Sequence, residues 1–160
     1  MHTGREKLAS FLLKNGQMLA TAESCTGGMI ATACTDLAGS SAWFERGFVT
    51  YSNEAKTQML GVDAALITQH GAVSEEVARA MVQGAIAHSH AHVAVAVTGV
   101  AGPTGGSVAK PVGTVWFGFA TPEGVVTEMQ HFAGDRAKVR AATVQHALQR
   151  LVGLLANQQD

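Results

Sequence analysis

The 160-residue sequence has few charged side chains, few cysteines and no long apolar run. Charged residues make up 14% of the chain, against about 25% in an average soluble domain, which favours a compact core and buried subunit contacts. Because 11 basic residues are balanced by 12 acidic ones, no overall basic field indicates a nucleic-acid partner. No apolar run approaches the roughly 20 residues needed to span a bilayer, so no membrane partner is expected.

The shortage of cysteine excludes a disulfide framework. Cys25 and Cys34 are the only two, and on one helix at about 100° per residue they would lie on opposite faces. With no CxxC pair and no secretory-signal core at the start of the chain, we expect a cytoplasmic protein. His88, His90 and His92 alternate, but the first is predicted on a helix and the last at a strand, so they need not converge. We predict no metal and no cofactor.

Hydrophobic patterning predicts helices alternating with strands, followed by one hairpin. Five strands are predicted: the first ends at Ala20, and the others cover Phe44–Tyr51, Val93–Thr98, Thr114–Ala120 and Val125–Phe132. Six helices are predicted. The first ends near Gly16, the second covers Gly27–Thr35, and the third begins at Ser52 or Asn53 and stops at Gly61. The fourth covers Asp63–Gln69, the fifth begins at Ser74 and the sixth begins at Asp135. This order predicts an α/β fold: a single three-layer α/β/α domain with a mixed sheet over residues 1–160.

The segment Thr21–Gly28, with sequence Thr-Ala-Glu-Ser-Cys-Thr-Gly-Gly, places a serine between a buried strand and a helix. The first N–H groups of a helix have no intrahelical partners, so those of Cys25 and Thr26 are candidate donors to an oxyanion or a phosphate. Ser24 is then a candidate nucleophile. Ordinary helix capping followed by a glycine turn is the alternative.

A serine nucleophile needs a base, and the sequence offers Lys56. A lysine pKa starts near 10.4, so burial or a nearby positive charge must lower it before the amine can accept a proton. Tyr51 is a candidate to orient Lys56 or to relay the proton. A solvated helix lysine and a half-buried strand tyrosine are the alternatives for these two residues.

A glycine-rich segment, Gly99–Ser107, follows a predicted strand as a ligand loop in an α/β sheet should. It is neither a phosphate-binding P-loop nor a GxGxxG fingerprint, so a ligand loop and a flexible crossover both remain open. Arg46, Arg136 and Arg140 are candidate anion contacts because a guanidinium suits phosphate. A salt bridge or a solvated helix face is the alternative for each.

Several segments together resemble the CinA C-terminal-domain family. The resemblance begins in the Ser24 segment and runs in order through nearly the whole chain. The matching segments are Thr21–Gly28, Gly39–Lys56, His70–Ser74, Thr98–Gly106, Lys110–Val115 and Gly134–Arg136.

The resemblance implies a serine amidohydrolase that converts nicotinamide mononucleotide to nicotinate mononucleotide and ammonia. It implies Ser24 as nucleophile, Lys56 as general base and Tyr51 as the relaying or orienting group. The predicted substrate-binding residues are Cys25, Thr26, Gly27, Arg46, Thr98, Gly99, Gly102 and Arg140. A homo-oligomer is expected, and a non-catalytic nucleotide-binding module is the alternative function.

Overall fold

A computed structural model describes residues 3–158. These residues form five strands and six α-helices. The strands are β1 (Leu19–Glu23), β2 (Phe44–Val49), β3 (Val93–Gly99), β4 (Thr114–Thr121) and β5 (Gly124–His131). The helices are α1 (Thr3–Asn15), α2 (Met29–Thr35), α3 (Asn53–Leu60), α4 (Ala64–His70), α5 (Glu75–Ala87) and α6 (Arg136–Asn157), with a short 3-10 turn at Ser40–Ala42.

The strands form one mixed sheet in the order β2-β1-β3-β4-β5. Strand β1 is parallel to β2 and β3, whereas β4 is antiparallel to its neighbours β3 and β5. The mixed α/β fold and the hairpin predicted from the sequence are therefore confirmed. The parallel arrangement brings the carboxyl ends of β1, β2 and β3 to the same edge of the sheet, where open α/β folds place their ligand sites.

The central strand β3 shows why helices cover both faces of the sheet. Its valines at 93, 95 and 97 belong to the core formed with α1, α2 and α6, and its alanines at 94 and 96 belong to the core formed with α4 and α5. Successive side chains of a strand point to opposite faces, so an all-apolar strand needs cover on both sides. The predicted three layers are confirmed.

Helix α2 begins later than the sequence pattern predicts. Gly27 and Gly28 have φ values of 58° and 106°, which lie outside the right-handed helical region that the predicted start at Gly27 requires. The two glycines instead form a turn that leads into the helix at Met29. Ser24 is thus separated from α2 by a full turn of irregular backbone.

Helix α3 carries Lys56 into the core. The Ser52 hydroxyl caps the helix by accepting from the Ala55 N–H at 3.0 Å, as the sequence predicts. The helix lies so close to α5 that a Cβ at Gly84 would overlap the Leu60 carbonyl oxygen. This close packing buries the face of α3 that bears Lys56.

The histidines near the end of α5 serve the fold. The Nδ1 atom of His92 accepts from the Met18 N–H at 3.0 Å, and His88 Nδ1 contacts the Gly84 carbonyl at 2.9 Å. Across residues 3–158, no cluster of three His, Cys, Asp or Glu side chains is arranged to hold a metal. None of the helices in that range has the length and apolar character needed to cross a membrane.

Candidate active site

A cavity of about 370 Å³ opens at the carboxyl edge of the parallel strands. Its walls include the turn after β1, the segment after β2 and the glycine-rich loop after β3. A larger cavity of about 520 Å³ lies between α1 and α6, but its lining contains no serine, threonine, cysteine, histidine or acidic residue. The smaller cavity is therefore the candidate active site.

Ser24 and Lys56 meet inside this cavity. The Lys56 Nζ atom lies 3.0 Å from Ser24 Oγ, 3.1 Å from the Thr50 carbonyl oxygen and 3.2 Å from the Tyr51 carbonyl oxygen. Lys56 is 1% exposed and Ser24 is 9% exposed. Both side chains are thus held in a largely dehydrated setting, within hydrogen-bond distance of each other.

The surroundings of Lys56 favour a neutral amine. Burial lowers the pKa of Lys56 below its ordinary value, because a charged ammonium loses hydration when it is buried. A neutral amine keeps two N–H donors and one lone pair. In the arrangement seen here Nζ donates to Ser24 Oγ, and the Ser24 hydroxyl donates to the Tyr51 carbonyl at 3.5 Å. Because the two carbonyl oxygens can only accept, a neutral amine that keeps both of them as partners has its lone pair free to take the Ser24 proton.

The turn that carries Ser24 is held from behind by Glu23, which is 1% exposed. Its carboxylate accepts from Thr26 Oγ1 at 2.5 Å, from the Ile30 N–H at 2.8 Å and from the Ala31 N–H at 3.0 Å. Glu23 therefore supplies the cap that Gly28, at the N-cap position, lacks a side chain to provide. The first N–H groups of α2 are occupied by the protein itself.

The N–H groups of Cys25 and Thr26 remain as candidate donors to a ligand. Within residues 3–158, neither of them donates to another residue. The Cys25 side chain lines the cavity, and burial raises the pKa of its thiol to about 11. Because the thiolate is the nucleophilic form of cysteine, this rise disfavours Cys25 as a nucleophile near neutral pH.

Tyr51 lies at the mouth of the cavity and is 60% exposed. Its hydroxyl accepts from Arg136 Nη2 at 3.1 Å, and Arg136 Nη1 donates to the Gly102 carbonyl at 2.8 Å. Arg136 thereby bridges the segment after β2 and the glycine-rich loop. The Tyr51 atom that contacts Lys56 is the backbone carbonyl oxygen, so the predicted proton relay through the hydroxyl is not formed in this arrangement.

A model of the CinA C-terminal domain matches residues 2–155. The chain belongs to the CinA C-terminal domain family. It is also similar to the nicotinamide-nucleotide amidohydrolase PncC of Escherichia coli strain K12, with 55% identity over 147 residues, covering 91% of this chain and 89% of that protein.

Solved structures of other CinA-type proteins share the fold. The competence/damage inducible protein CihA from Agrobacterium tumefaciens is 48% identical with a TM-score of 0.87, covering 94% of this chain and 95% of that one. The competence damage-inducible protein A (ComA) from Klebsiella pneumoniae subsp. pneumoniae MGH 78578 is 41% identical with a TM-score of 0.93, covering 97% and 96%. The sheet and its helices are thus those of the CinA superfamily.

Most of the residues predicted for the CinA-type site meet in the cavity. Those that line it are Ser24, Cys25, Tyr51, Lys56, Thr98, Gly99 and Gly102. The Thr98 hydroxyl donates to the Ala72 carbonyl at 2.9 Å, which joins the end of β3 to another wall of the cavity. Thr26 and Gly27 do not line the cavity, and the Thr26 hydroxyl is engaged with Glu23.

Two of the predicted substrate contacts lie elsewhere. Arg46 pairs with Ala20 near the start of β1, and its guanidinium donates to Glu45 and to the His88 carbonyl. Its position early in β2 puts it away from the carboxyl edge. Arg140 donates to the carbonyls of Cys25 and Thr26, so it contacts the outside of the serine turn and does not line the cavity.

Arg136 is the arginine that lines the cavity; the sequence offered it as a candidate anion contact but did not place it among the predicted substrate-binding residues. Asp135 caps α6 by accepting from the Lys138 N–H, and this places residue 136 in the first helical turn, facing the glycine-rich loop. The Gly134–Arg136 segment quoted in the family resemblance was the signal that pointed to it.

Proposed function

We propose that this chain is a serine amidohydrolase that converts nicotinamide mononucleotide to nicotinate mononucleotide and ammonia. The substrate class is supported by the 55% identity to a protein named nicotinamide-nucleotide amidohydrolase. The chemistry is supported by one observation above all: Lys56 Nζ lies 3.0 Å from Ser24 Oγ. A hydroxyl beside a desolvated amine is a recognised way to activate a serine nucleophile.

In the proposed reaction, Ser24 Oγ attacks the carboxamide carbon while Lys56 Nζ takes the hydroxyl proton. The carbonyl oxygen becomes an oxyanion, which the N–H groups of Cys25 and Thr26 stabilise. Lys56 then gives the proton to the leaving nitrogen, and ammonia departs from an acyl-enzyme on Ser24. Water attacks this ester with Lys56 as base, which releases the carboxylate and restores the serine.

The substrate itself helps to keep the base neutral. Burial already lowers the pKa of Lys56, and a pyridinium ring bound beside the amine adds a positive charge that lowers it further. The Thr50 and Tyr51 carbonyl oxygens hold the two N–H bonds of the neutral amine. Tyr51 therefore acts as an orienting group through its backbone.

Arg136 is the residue we assign to the phosphate. It and Lys56 are the basic side chains that line the cavity, and Lys56 is committed to Ser24. Arg136 lies at the mouth, where it holds the Gly102 carbonyl and the Tyr51 hydroxyl. A planar guanidinium with several donors suits a phosphate oxygen pair.

The test is ammonia release from nicotinamide mononucleotide by the purified protein in the presence of a chelator. Ser24→Ala should lower kcat by at least about 10³-fold, Lys56→Met should also be nearly inactive, and Cys25→Ala should keep most of the activity because its N–H remains. Turnover by Ser24→Ala equal to the parent would rule out the assigned nucleophile. Saturable binding of the nucleotide without ammonia release would favour the binding-module alternative.

A second measurement isolates the phosphate contact. Arg136→Met should raise KM for the mononucleotide by about 10- to 100-fold, the effect of one charged hydrogen-bonding group. Its effect on the corresponding nucleoside, which has no phosphate, should be small. An equal effect on both substrates would show that Arg136 supports the cavity wall instead.

The oligomeric state and the compartment are part of the same proposal. The low share of charged residues, 14% of the chain, supports a homo-oligomer because it favours buried subunit contacts. Sedimentation velocity on the purified chain measures the subunit number. We place the protein in the cytoplasm, where both free cysteines stay reduced, and cell fractionation tests this location.

A further inference from the structure

Arg140 contacts the serine turn, residues 24–28, from the side away from the cavity. It comes from α6 and donates through Nε to the Cys25 carbonyl at 3.1 Å and through Nη2 to the Thr26 carbonyl at 3.2 Å. No acidic side chain in residues 3–158 forms an ion pair with it. Its charge and its donors are therefore directed at two consecutive backbone carbonyls immediately after Ser24.

Fixing a carbonyl fixes the N–H of the same peptide unit. A peptide bond is planar and trans, so its C=O and N–H point in opposite directions. The Cys25 carbonyl belongs to the same unit as the Thr26 N–H, which Arg140 therefore orients. The Ser24 carbonyl accepts from the Gly27 N–H at 3.1 Å, and this contact orients the Cys25 N–H in the same way.

Backbone hydrogen bonds hold the Ser24 and Thr26 carbonyls, which accept from the Gly27 and Met29 N–H groups at 3.1 Å each, whereas the Cys25 carbonyl between them is held by Arg140. Gly27 and Gly28 both have positive φ values, and glycine gains the most conformational freedom when its restraints are lost. Glu23 holds the Thr26 hydroxyl and the start of α2. Arg140 restrains the peptide units between Ser24 and that helix, where Glu23 does not reach.

The positive charge of Arg140 also acts on the Cys25 side chain, which lines the cavity. Burial raises the pKa of the Cys25 thiol to about 11, and the positive charge of Arg140 opposes that rise. A group that favours a thiolate at this position favours any anion formed beside it. Arg140 thus has two routes to an oxyanion at Ser24, although it touches neither the cavity nor the substrate.

We propose that Arg140 is a positioning residue that holds the serine turn through the Cys25 and Thr26 carbonyls, so that the Cys25 N–H at the cavity wall stays aligned with the oxyanion formed at Ser24. This role rests on the proposed amidase function. It differs from the substrate contact predicted from the sequence, because a positioning residue of this kind acts on the transition state and not on the bound substrate.

The experiment compares Arg140→Met and Arg140→Lys with Arg150→Met. Arg150 is a matched control, since it lies on the same helix and donates to Glu128 on β5, far along α6 from the serine turn. We expect Arg140→Met to lower kcat by about 10²-fold, the effect of losing an oxyanion donor, with KM within about threefold of the parent. Arg140→Lys should recover part of kcat, and Arg150→Met should match the parent.

A tetrahedral mimic separates positioning from a general loss of structure. A pyridine boronic acid that adds to Ser24 should lose affinity for Arg140→Met in proportion to the loss of kcat, whereas product affinity should not change. The pH midpoint of kcat/KM, set by Lys56, should also stay in place. Circular dichroism and thermal melting verify that each variant is folded. If Arg140→Met does not fold, the same measurements are made on Arg140→Lys.

Two results would overturn this role while the parent remains active on nicotinamide mononucleotide. A raised KM with unchanged kcat would make Arg140 a substrate contact, as the sequence predicted, and unchanged kcat and KM would make it dispensable. A parent that releases no ammonia would instead overturn the proposed function, and with it the need for an oxyanion donor at this turn.

Discussion

Tyr51 contributes two different atoms to the site. Its carbonyl oxygen accepts from Lys56 Nζ at 3.2 Å, whereas its hydroxyl accepts from Arg136. Tyr51→Phe removes only the hydroxyl, so we expect kcat within about threefold of the parent and a KM a few-fold higher, consistent with the loss of one net hydrogen bond. Steady-state kinetics of ammonia release measures both. A 100-fold fall in kcat would show that the hydroxyl turns inward during the reaction and relays the proton.

The protonation state of Lys56 predicts the pH dependence of the reaction. Burial lowers its pKa below the ordinary 10.5, and only the neutral amine has a lone pair for the Ser24 proton. kcat/KM should therefore rise with pH and level off above a midpoint that lies below 10.5. The midpoint of kcat should be lower still, because the bound pyridinium opposes a second positive charge.

A pH–rate profile of the parent, with Ser24→Ala as the background, checks this prediction. A rise whose midpoint lies at or above 10.5 would contradict the lowered pKa of Lys56. A rate that falls as pH rises from 6 to 10 would mean that the protonated amine is the required form.

At the scale of elements, the contact between α3 and α5 sets the position of Lys56. A Cβ at Gly84 would overlap the Leu60 carbonyl oxygen at the end of α3. Gly84→Ala should therefore destabilise the fold by about 1–3 kcal/mol, the usual cost of overpacking. It should also lower kcat, because α3 can relieve the overlap only by moving away and taking Lys56 with it.

Gly153→Ala is the matched control on α6. A Cβ there meets only Arg150 Nη1 at 3.7 Å, an ordinary contact, so the better helix propensity of alanine should stabilise the fold by up to about 1 kcal/mol. Urea unfolding and ammonia release of both variants give the comparison. Equal stability of the two would mean that α3 and α5 can separate at no cost.

Element boundaries depended on glycine in opposite ways. Gly61 ends α3 in a left-handed conformation with φ 73°, as its place after an apolar pattern predicted. Gly27 and Gly28 were expected to open α2 but instead keep it from starting until Met29. Composition cannot distinguish a glycine inside a first turn from one before it, because the difference is the sign of φ, and glycine adopts either sign.

At the scale of the whole molecule, charge balance predicts weak binding to DNA. The formal net charge is −1, and several arginines are paired with acids, as Arg79 is with Glu75 and Arg150 with Glu128. At 150 mM salt, we expect no fluorescence-anisotropy change of a labelled duplex below about 100 μM protein, the weak end of non-specific binding. Saturable binding that weakens as salt is raised would contradict this prediction and indicate a direct role on DNA.

The sequence by itself determined the elements, the mixed α/β class and most of the cavity lining. Apolar runs of defined period predict strands and helices, and a serine, a lysine and a glycine-rich loop each follow or precede a strand in the pattern of a ligand site. The family resemblance supplied the pairing of Ser24 with Lys56. These inferences succeeded because they depend on local pattern and on order along the chain.

Only the tertiary structure decided which arginine does what. Arg46, Arg136 and Arg140 are indistinguishable as candidate anion contacts in sequence, yet they reach Glu45, Gly102 and Cys25 respectively. A long side chain finds its partner through strand register and helix position, which couple residues far apart in the chain. For the same reason, the sequence could not predict that backbone carbonyls orient Lys56. Nor could it predict that Arg140 donates to the carbonyls of the serine turn.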